Sequence, residues 1–359
     1  MSSLIKSCKV SPLKAPLIQP FRTALGDHNS LENILFTLEL ENGIKGFGEA
    51  AIATHITGET VEETFRNIKT AGGSLVGSDA ADHLRISKQL HGKLAHNKAV
   101  LAAVEMALLD AFTQQKKIPL WKFFGPRPKK LITDVTIVIA DLEETEVSVK
   151  KYYKQGFRTF KVKVGRNMDL DLKRVAAVKK LAPRCKFYLD ANQGYTAEEM
   201  LKFLGMLGRA ALRPALLEQP VPRDDWEGLK RISRSTKIPV CADESIRSLA
   251  EARKAIAERI VSVINIKLMK FGLLEAREIA MLAKRNGIDL MIGGMMETSL
   301  AMTAAAHLAS GLGYFKYIDL DTPFFIKQGL TGNPYLSPSG CYDLKKVRSG
   351  IGIKVSSNG

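Results

Sequence analysis

Eight short apolar runs recur along the chain from about residue 130, each followed by a stretch with helical periodicity, and this beat constrains the fold more than any other feature. The runs are ITDVTIVI (132–139), TFKVKVG (159–165), KFYLDAN (186–192), PALLEQP (214–220), PVCADES (239–245), SVINIKL (262–268), DLMIGGM (289–295) and KYIDLD (316–321). Residues near their ends, Thr136, Lys163, Asp190, Glu218, Asp243, Lys267, Gly293 and Asp319, follow one another at intervals of 24 to 28 residues. Each interval has room for a crossover helix, such as DLDLKRVAAVKKLAP or LLEAREIAMLAKRNG, and parallel strands need such a crossover. The pattern predicts an α/β fold whose parallel sheet closes into a β/α barrel. An open doubly wound sheet shares the alternation, but no Gly-rich phosphate loop follows a first strand to support it.

The first 125 residues read differently. LENILFTLELENGIKGFGEA (31–50) predicts two strands joined at Asn42-Gly43, a pair suited to the positive φ angles of a type I′ turn. Helical patterns follow, notably KAVLAAVEMALLDAFTQQ (98–115), before the break GPRPKK. At roughly 150 residues per domain, 359 residues leave room for about two. The division expected is an α+β domain over residues 1–125, the barrel over 126–325, and a tail, 326–359, that returns to the first domain.

The net charge of +16 permits attraction to polyanions. The basic residues are mostly scattered among acidic ones, as in EARKAIAER, without interleaved aromatics, so no nucleic-acid partner is expected. The N-terminal MSSLIKSCKVSPLKAPL is interrupted by lysines and prolines, and no run is long and apolar enough to span a membrane. A cytoplasmic location follows as the expectation. Four separated cysteines form no CxxC pair, which argues against a thiolate metal site or a disulfide framework.

In a parallel barrel, chemistry gathers at the C-terminal ends of the strands. Asp190, Glu218 and Asp243 end three consecutive runs, and neighbouring strands stand roughly 4.8 Å apart. Three carboxylates that close repel one another, and a hard divalent ion such as Mg²⁺ relieves the conflict. Any one of them alone reads equally well as a helix cap or half of a salt bridge. Lys163 and Lys267 end the second and sixth runs and so face each other across the ring. Lysines on opposite faces of a metal-held substrate suit removal of a proton from one side of a carbon and its return from the other, which inverts the centre. Lys161, on the same strand face as Lys163, is read as the cation that tunes and steadies it. The intermediate would be an enediolate, whose charge a divalent ion stabilises.

This constellation resembles the enolase superfamily. The KxK of TFKVKVG, LDAN, LEQP, ADES and NIKLMKFGL, with GFGEA at 46–50, are similar to its muconate-lactonizing subgroup over nearly the whole chain. The resemblance implies a modified (β/α)7β barrel, one Mg²⁺ per subunit, and an N-terminal α+β capping domain whose loops select the substrate. Within the subgroup, the DxD of YIDLDTP, Asp319 and Asp321, is similar to the dipeptide epimerases, where it holds the substrate's ammonium. The activity implied is Mg²⁺-dependent epimerisation at the C-terminal residue of a dipeptide. Other enediolate reactions stand as alternatives: muconate cycloisomerisation, o-succinylbenzoate synthesis and N-acylamino acid racemisation. A noncatalytic barrel that keeps the metal for recognition is the alternative of another class, and the two lysines argue against it.

The cap loop FRTALGDHNS has Gly26 at about the place where members acting on Ala-Glu carry an arginine, with Arg22 nearby. Phe21, Leu25 and Ile56 of the second loop suit an apolar side chain, whereas Asp27 suits a cationic one. Thr136 is read as an inward hydroxyl and Glu297 as either lining the site or capping the helix that follows GGMMETS. The expected partners are a small dipeptide substrate and further copies of the chain in a homo-oligomer.

Overall fold

An antiparallel sheet of β1 (Ile5–Thr23), β2 (Gly26–Leu40) and β3 (Lys45–Ala50), in that order, opens the computed structural model, which describes residues 2–327 and 332–355. β1 is an addition to the two strands expected, and it carries Pro12, Pro16 and Pro20. A proline donates no ladder hydrogen bond, which the sheet tolerates because β1 lies at its edge. The β2–β3 turn also departs from expectation. Gly43 has φ +84° whereas Asn42 is not in the left-handed region, and the Gly43 N–H donates to Leu40 O at 2.9 Å. Asn42 instead uses its side chain, whose Oδ1 accepts from the Ile44 N–H at 3.1 Å.

The sheet buries Ile34, Phe36 and Leu38 against the alanine-rich Lys98–Gln115 helix. That approach is backbone to backbone at Gly46 and Gly48, where a Cβ would collide with the Ala107 and Ala103 carbonyl oxygens. GFGEA is therefore a packing requirement as much as a motif.

After β4 (Leu131–Ile132), the barrel strands are β5 (Val135–Ile137), β6 (Thr159–Lys163), β7 (Lys186–Asp190), β8 (Leu216–Glu218), β9 (Val240–Ala242), β10 (Val263–Lys267), β11 (Asp289–Gly293) and β12 (Tyr317–Ile318). They form one eight-stranded sheet in sequence order, and each pairing is parallel. The first and last strands meet where the Asp134 N–H donates to Ile318 O at 2.9 Å, which closes the ring. Every expected strand run contributes, each trimmed at its ends. Tyr188, Leu216, Cys241, Val263, Met291 and Tyr317 form a separate apolar cluster that plugs the lower barrel, so Asp190, Glu218, Asp243, Asn265 and Asp319, two residues further along their chains, emerge above a dry floor.

The tail contacts both parts. β13 (Cys341–Tyr342) pairs with β4, the Ile351 N–H donates to Asp110 Oδ1 at 2.8 Å, and the Lys327 N–H donates to Pro16 O at 3.0 Å. A second tie joins the Lys98–Gln115 helix to the Leu268–Arg285 helix that follows β10. The latter is kinked at Gly272, φ +73°, and the buried Glu105 carboxylate accepts from the Leu273 and Leu274 N–H groups at 2.6 and 3.0 Å. Among the described residues, no helix is long and apolar enough to cross a membrane.

Candidate active site

Register places the acids side by side. Asp190 pairs with Glu218 and with Lys163, and Glu218 pairs with Cys241, two residues before Asp243. All three carboxylates are fully buried. Lysines surround them: Lys161 Nζ lies 3.0 Å from Asp190 and 2.8 Å from Glu218, Lys163 Nζ lies 2.6 Å from Asp190, and Lys267 Nζ lies 2.7 Å from Asp243. Glu218 Oε2 and Asp243 Oδ2 accept no hydrogen bond and are neighboured by the Lys161 and Lys267 ammoniums, at 2.8 and 2.7 Å. Donors hold the rest of the group in place. Asn265 Nδ2 donates to Glu218 Oε1 at 2.8 Å, and Lys270 Nζ donates to Asp243 Oδ1 at 2.8 Å and to Asp243 O at 2.6 Å.

The charges sort the protons. Burial acts to raise the Asp190 pKa, but the Lys161 and Lys163 ammoniums outweigh it and bring the carboxyl down to about 2. Asp243 is likewise carried below the usual carboxylate range, burial being overcome by Lys267 and Lys270. Glu218 goes the other way, to about 7, because burial and the Asp190 charge exceed the help from Lys161. Burial alone would lower both Lys161 and Lys267, yet carboxylates raise them: Asp190, Asp319 and Glu218 act on Lys161, and chiefly Asp243 on Lys267.

Above this floor opens a cleft with about 790 Å³ of open space, lined by Phe21, Ile56, Thr136, Lys161, Lys163, Lys267, Asp319 and Asp321 among the anticipated residues. Lys163 rises on the Phe21 side, 5.9 Å from the ring centroid, and donates to Asn192 Oδ1 at 2.9 Å. Lys267 rises on the opposite side beside Met295 Sδ at 3.8 Å. Asp319 and Asp321 form one wall. Asp319 Oδ2 accepts from Lys161 at 2.7 Å, and Asp321 Oδ2 accepts from the Thr136 N–H at 2.6 Å. Lys161 thus stands between the wall acids and the floor acids.

Four anticipated residues lie elsewhere. Arg22 turns away from the cleft to pair with Glu144 at 3.0 Å, because the β1–β2 hairpin lays it against the barrel surface. Gly26, at the hairpin tip with φ +149°, is not among the lining residues. Asp27 pairs with Arg166 at 2.7 Å and offers no charge to the cleft. Glu297 is buried behind the wall, where its Oε2 accepts from the Met295 N–H at 2.8 Å and its carboxyl is pushed up to about 8 by burial and the Glu49 charge. Its backbone neighbourhood, Gly294 to Met296, lines the cleft in its place.

Other residues were not anticipated. Asn192 adopts φ +39°, which folds its N–H back onto Asp190 Oδ1 at 2.9 Å and its side chain onto Lys163. A non-glycine residue held there beside an acid is the kind of strain that functional sites retain. Lys270 lies three residues beyond Lys267 and was hidden inside NIKLMKFGL. His28 and Met295 also line the cleft.

The halves of the chain match two family models: residues 7–125 the N-terminal domain of mandelate racemase / muconate lactonizing enzymes, and residues 144–358 the enolase C-terminal domain-like model. The chain belongs to the mandelate racemase and muconate lactonizing enzyme family of the enolase superfamily. It is 46% identical to a hydrophobic dipeptide epimerase of Citrifermentans bemidjiense, covering 99% of this chain and 98% of that one. It is 35% identical to an aromatic dipeptide epimerase of Herpetosiphon aurantiacus, covering 99% and 100%. Among solved structures, a dipeptide epimerase of Enterococcus faecalis complexed with Mg and L-Leu-L-Tyr superposes with a TM-score of 0.93, at 32% identity over 98% of this chain and 99% of that one.

Proposed function

We propose that this protein is a Mg²⁺-dependent dipeptide epimerase that inverts the α carbon of the C-terminal residue. The observation that carries the reading is the opposition of Lys163 and Lys267, on the second and sixth barrel strands, across a floor of three buried acids.

Asp190, Glu218 and Asp243 are the residues that would hold the ion, since all-oxygen ligation suits a hard cation and two of their oxygens, Glu218 Oε2 and Asp243 Oδ2, are met only by ammonium contacts that a cation would replace. When bound, Mg²⁺ would take up carboxylate charge that otherwise holds Lys267 protonated and would stabilise the negative charge developing on the substrate's carboxylate. Asp319 and Asp321 accept hydrogen bonds from the ammonium of the first residue. Lys161 links their wall to the floor, touching both. Two extended residues span roughly 7 Å, so a dipeptide has the length to reach from wall to floor. One lysine removes the α proton as a neutral amine; the other, as an ammonium, returns a proton to the opposite face. Running the pair backwards processes the other configuration.

The second side chain meets Phe21, Leu25, Ile56 and Met295, and among the described residues the lining contains no arginine. These neighbours favour apolar or aromatic side chains over a glutamate, in keeping with the two relatives named for hydrophobic and aromatic dipeptides.

Incubation with Mg²⁺ and a dipeptide library in heavy water, followed by mass spectrometry, tests the reading. Deuterium should enter the α position of the second residue in apolar dipeptides and cease on addition of EDTA. No uptake across the library refutes it.

A further inference from the structure

Behind the wall acids stands a third carboxylate that the proposed mechanism leaves unused. Asp134 immediately precedes β5, the first barrel strand, and it is 1% exposed and lies outside the cleft lining. One oxygen each of Asp134, Asp319 and Asp321 can be found within 4.8 Å of one another. Asp319 has Lys161 and Asp321 has the Thr136 N–H, but neither Asp134 oxygen receives a hydrogen bond from a nitrogen or hydroxyl donor among the described residues. A buried carboxylate without donors is costly, and costlier beside two others.

We propose, building on the dipeptide reading, that Asp134 is a positioning residue for the substrate's ammonium, holding Asp319 in place through a hydrogen bond to that carboxylate. Only a carboxylic acid has the proton for this bond. Burial first, and then the Asp319 and Asp321 charges, raise the Asp134 carboxyl well above the usual carboxylate range, with Lys161 opposing. Three ionised acids in the wall would demand more cationic charge than Lys161, which the floor acids share, and one incoming ammonium supply. The bond also leaves the remaining Asp319 lone pairs directed at Lys161 and the cleft, so the ammonium meets an acceptor already in position.

The experiment compares wild type, Asp134→Asn and Asp134→Ala on L-Leu-L-Tyr and its N-acetyl derivative, with Mg²⁺ stoichiometry measured by equilibrium dialysis. Asparagine keeps a donor toward Asp319 and alanine removes it. In Asp134→Ala, loss of a hydrogen bond to a charged group should raise KM for the free dipeptide about tenfold while kcat changes less than about threefold. Asp134→Asn should stay within about threefold of wild type in both, and all three proteins should bind one Mg²⁺ per chain. An unchanged KM in the alanine variant, or an asparagine variant with KM raised about tenfold, overturns the proposal even if alanine fails to fold. Two ions on wild type and one on Asp134→Asn would also overturn it, assigning the three acids to a second cation. If wild type turns over the N-acetyl derivative as well as the free dipeptide, the ammonium reading itself fails, a result distinguishable from the others.

Discussion

His307 offers a quantitative test of how the tail is tied to the barrel. It lies fully buried on the Ser299–Leu312 helix, where Nδ1 accepts from the Trp121 N–H at 2.9 Å and Nε2 lies 3.0 Å from Ile351 O. The two contacts fix a neutral tautomer with its proton on Nε2. Burial, opposed by the Ile351 carbonyl, lowers the pKa from 6.5 to about 4. In the unfolded chain the ring protonates first as pH falls, so stability is present above the unfolded pKa and is lost as pH falls towards the folded one. With 1.36 kcal/mol per pKa unit, the loss reaches about 2.5 kcal/mol at pH 4.5. His307→Gln retains an acceptor and a donor but does not titrate. Urea unfolding of both proteins at pH 7 and pH 4.5 isolates the effect, because the carboxylates common to both cancel in the difference. Wild type should lose about 2 to 3 kcal/mol more than the variant between those pH values. Equal losses would show that the ring is not held neutral, and the argument from its two hydrogen bonds would fall.

Lys163→Ala and Lys267→Ala should each reduce epimerisation by at least about 10²-fold, since each removes a general acid or base. Deuterium exchange of one substrate configuration should survive in each variant, and full turnover in either would remove that lysine from the reaction. Gly48→Ala should cost more than about 3 kcal/mol in thermal or urea unfolding, because β3 must move off the helix it touches. Thr196→Ala breaks a capping box in which Thr196 Oγ1 accepts from the Glu199 N–H at 3.2 Å and Glu199 reaches back at 2.8 Å. It should cost about 1 kcal/mol and leave kcat unchanged. Glu105→Ala leaves the Leu273 and Leu274 N–H groups without their acceptor, and should cost about 2 to 5 kcal/mol by urea unfolding.

The barrel was legible in the sequence because its strands recur at a nearly constant interval and alternate inward and outward. With Lys163, Asp190 and Glu218 at strand ends, register brings them together, and closure of the ring sets Lys267 opposite. The cap was harder to read. β1 is interrupted by three prolines, which hide an edge strand, and Asn42-Gly43 matched one turn chemistry while the chain adopted another. Loop side chains were the least legible, since which way Arg22, Gly26 and Asp27 face depends on where a hairpin tip rests against the barrel. Arg22 and Asp27 are drawn outward by Glu144 and Arg166, partners more than a hundred positions distant. Asp134 was illegible for a related reason: it stands just before β5, and only closure of the ring brings Asp319 and Asp321, distant in sequence, beside it.

The carboxylate of Glu105 reaches from the capping half to the bent helix that starts immediately after Lys267. The helix that continues from Lys267, a reacting amine in the proposed mechanism, is therefore anchored by a portion of the chain to which that mechanism assigns no reacting group. An isolated barrel would lose that anchor. Chimeras that trade capping halves between relatives to alter substrate choice would have to preserve this single anchoring acid, or they would change turnover while seeming to change only recognition.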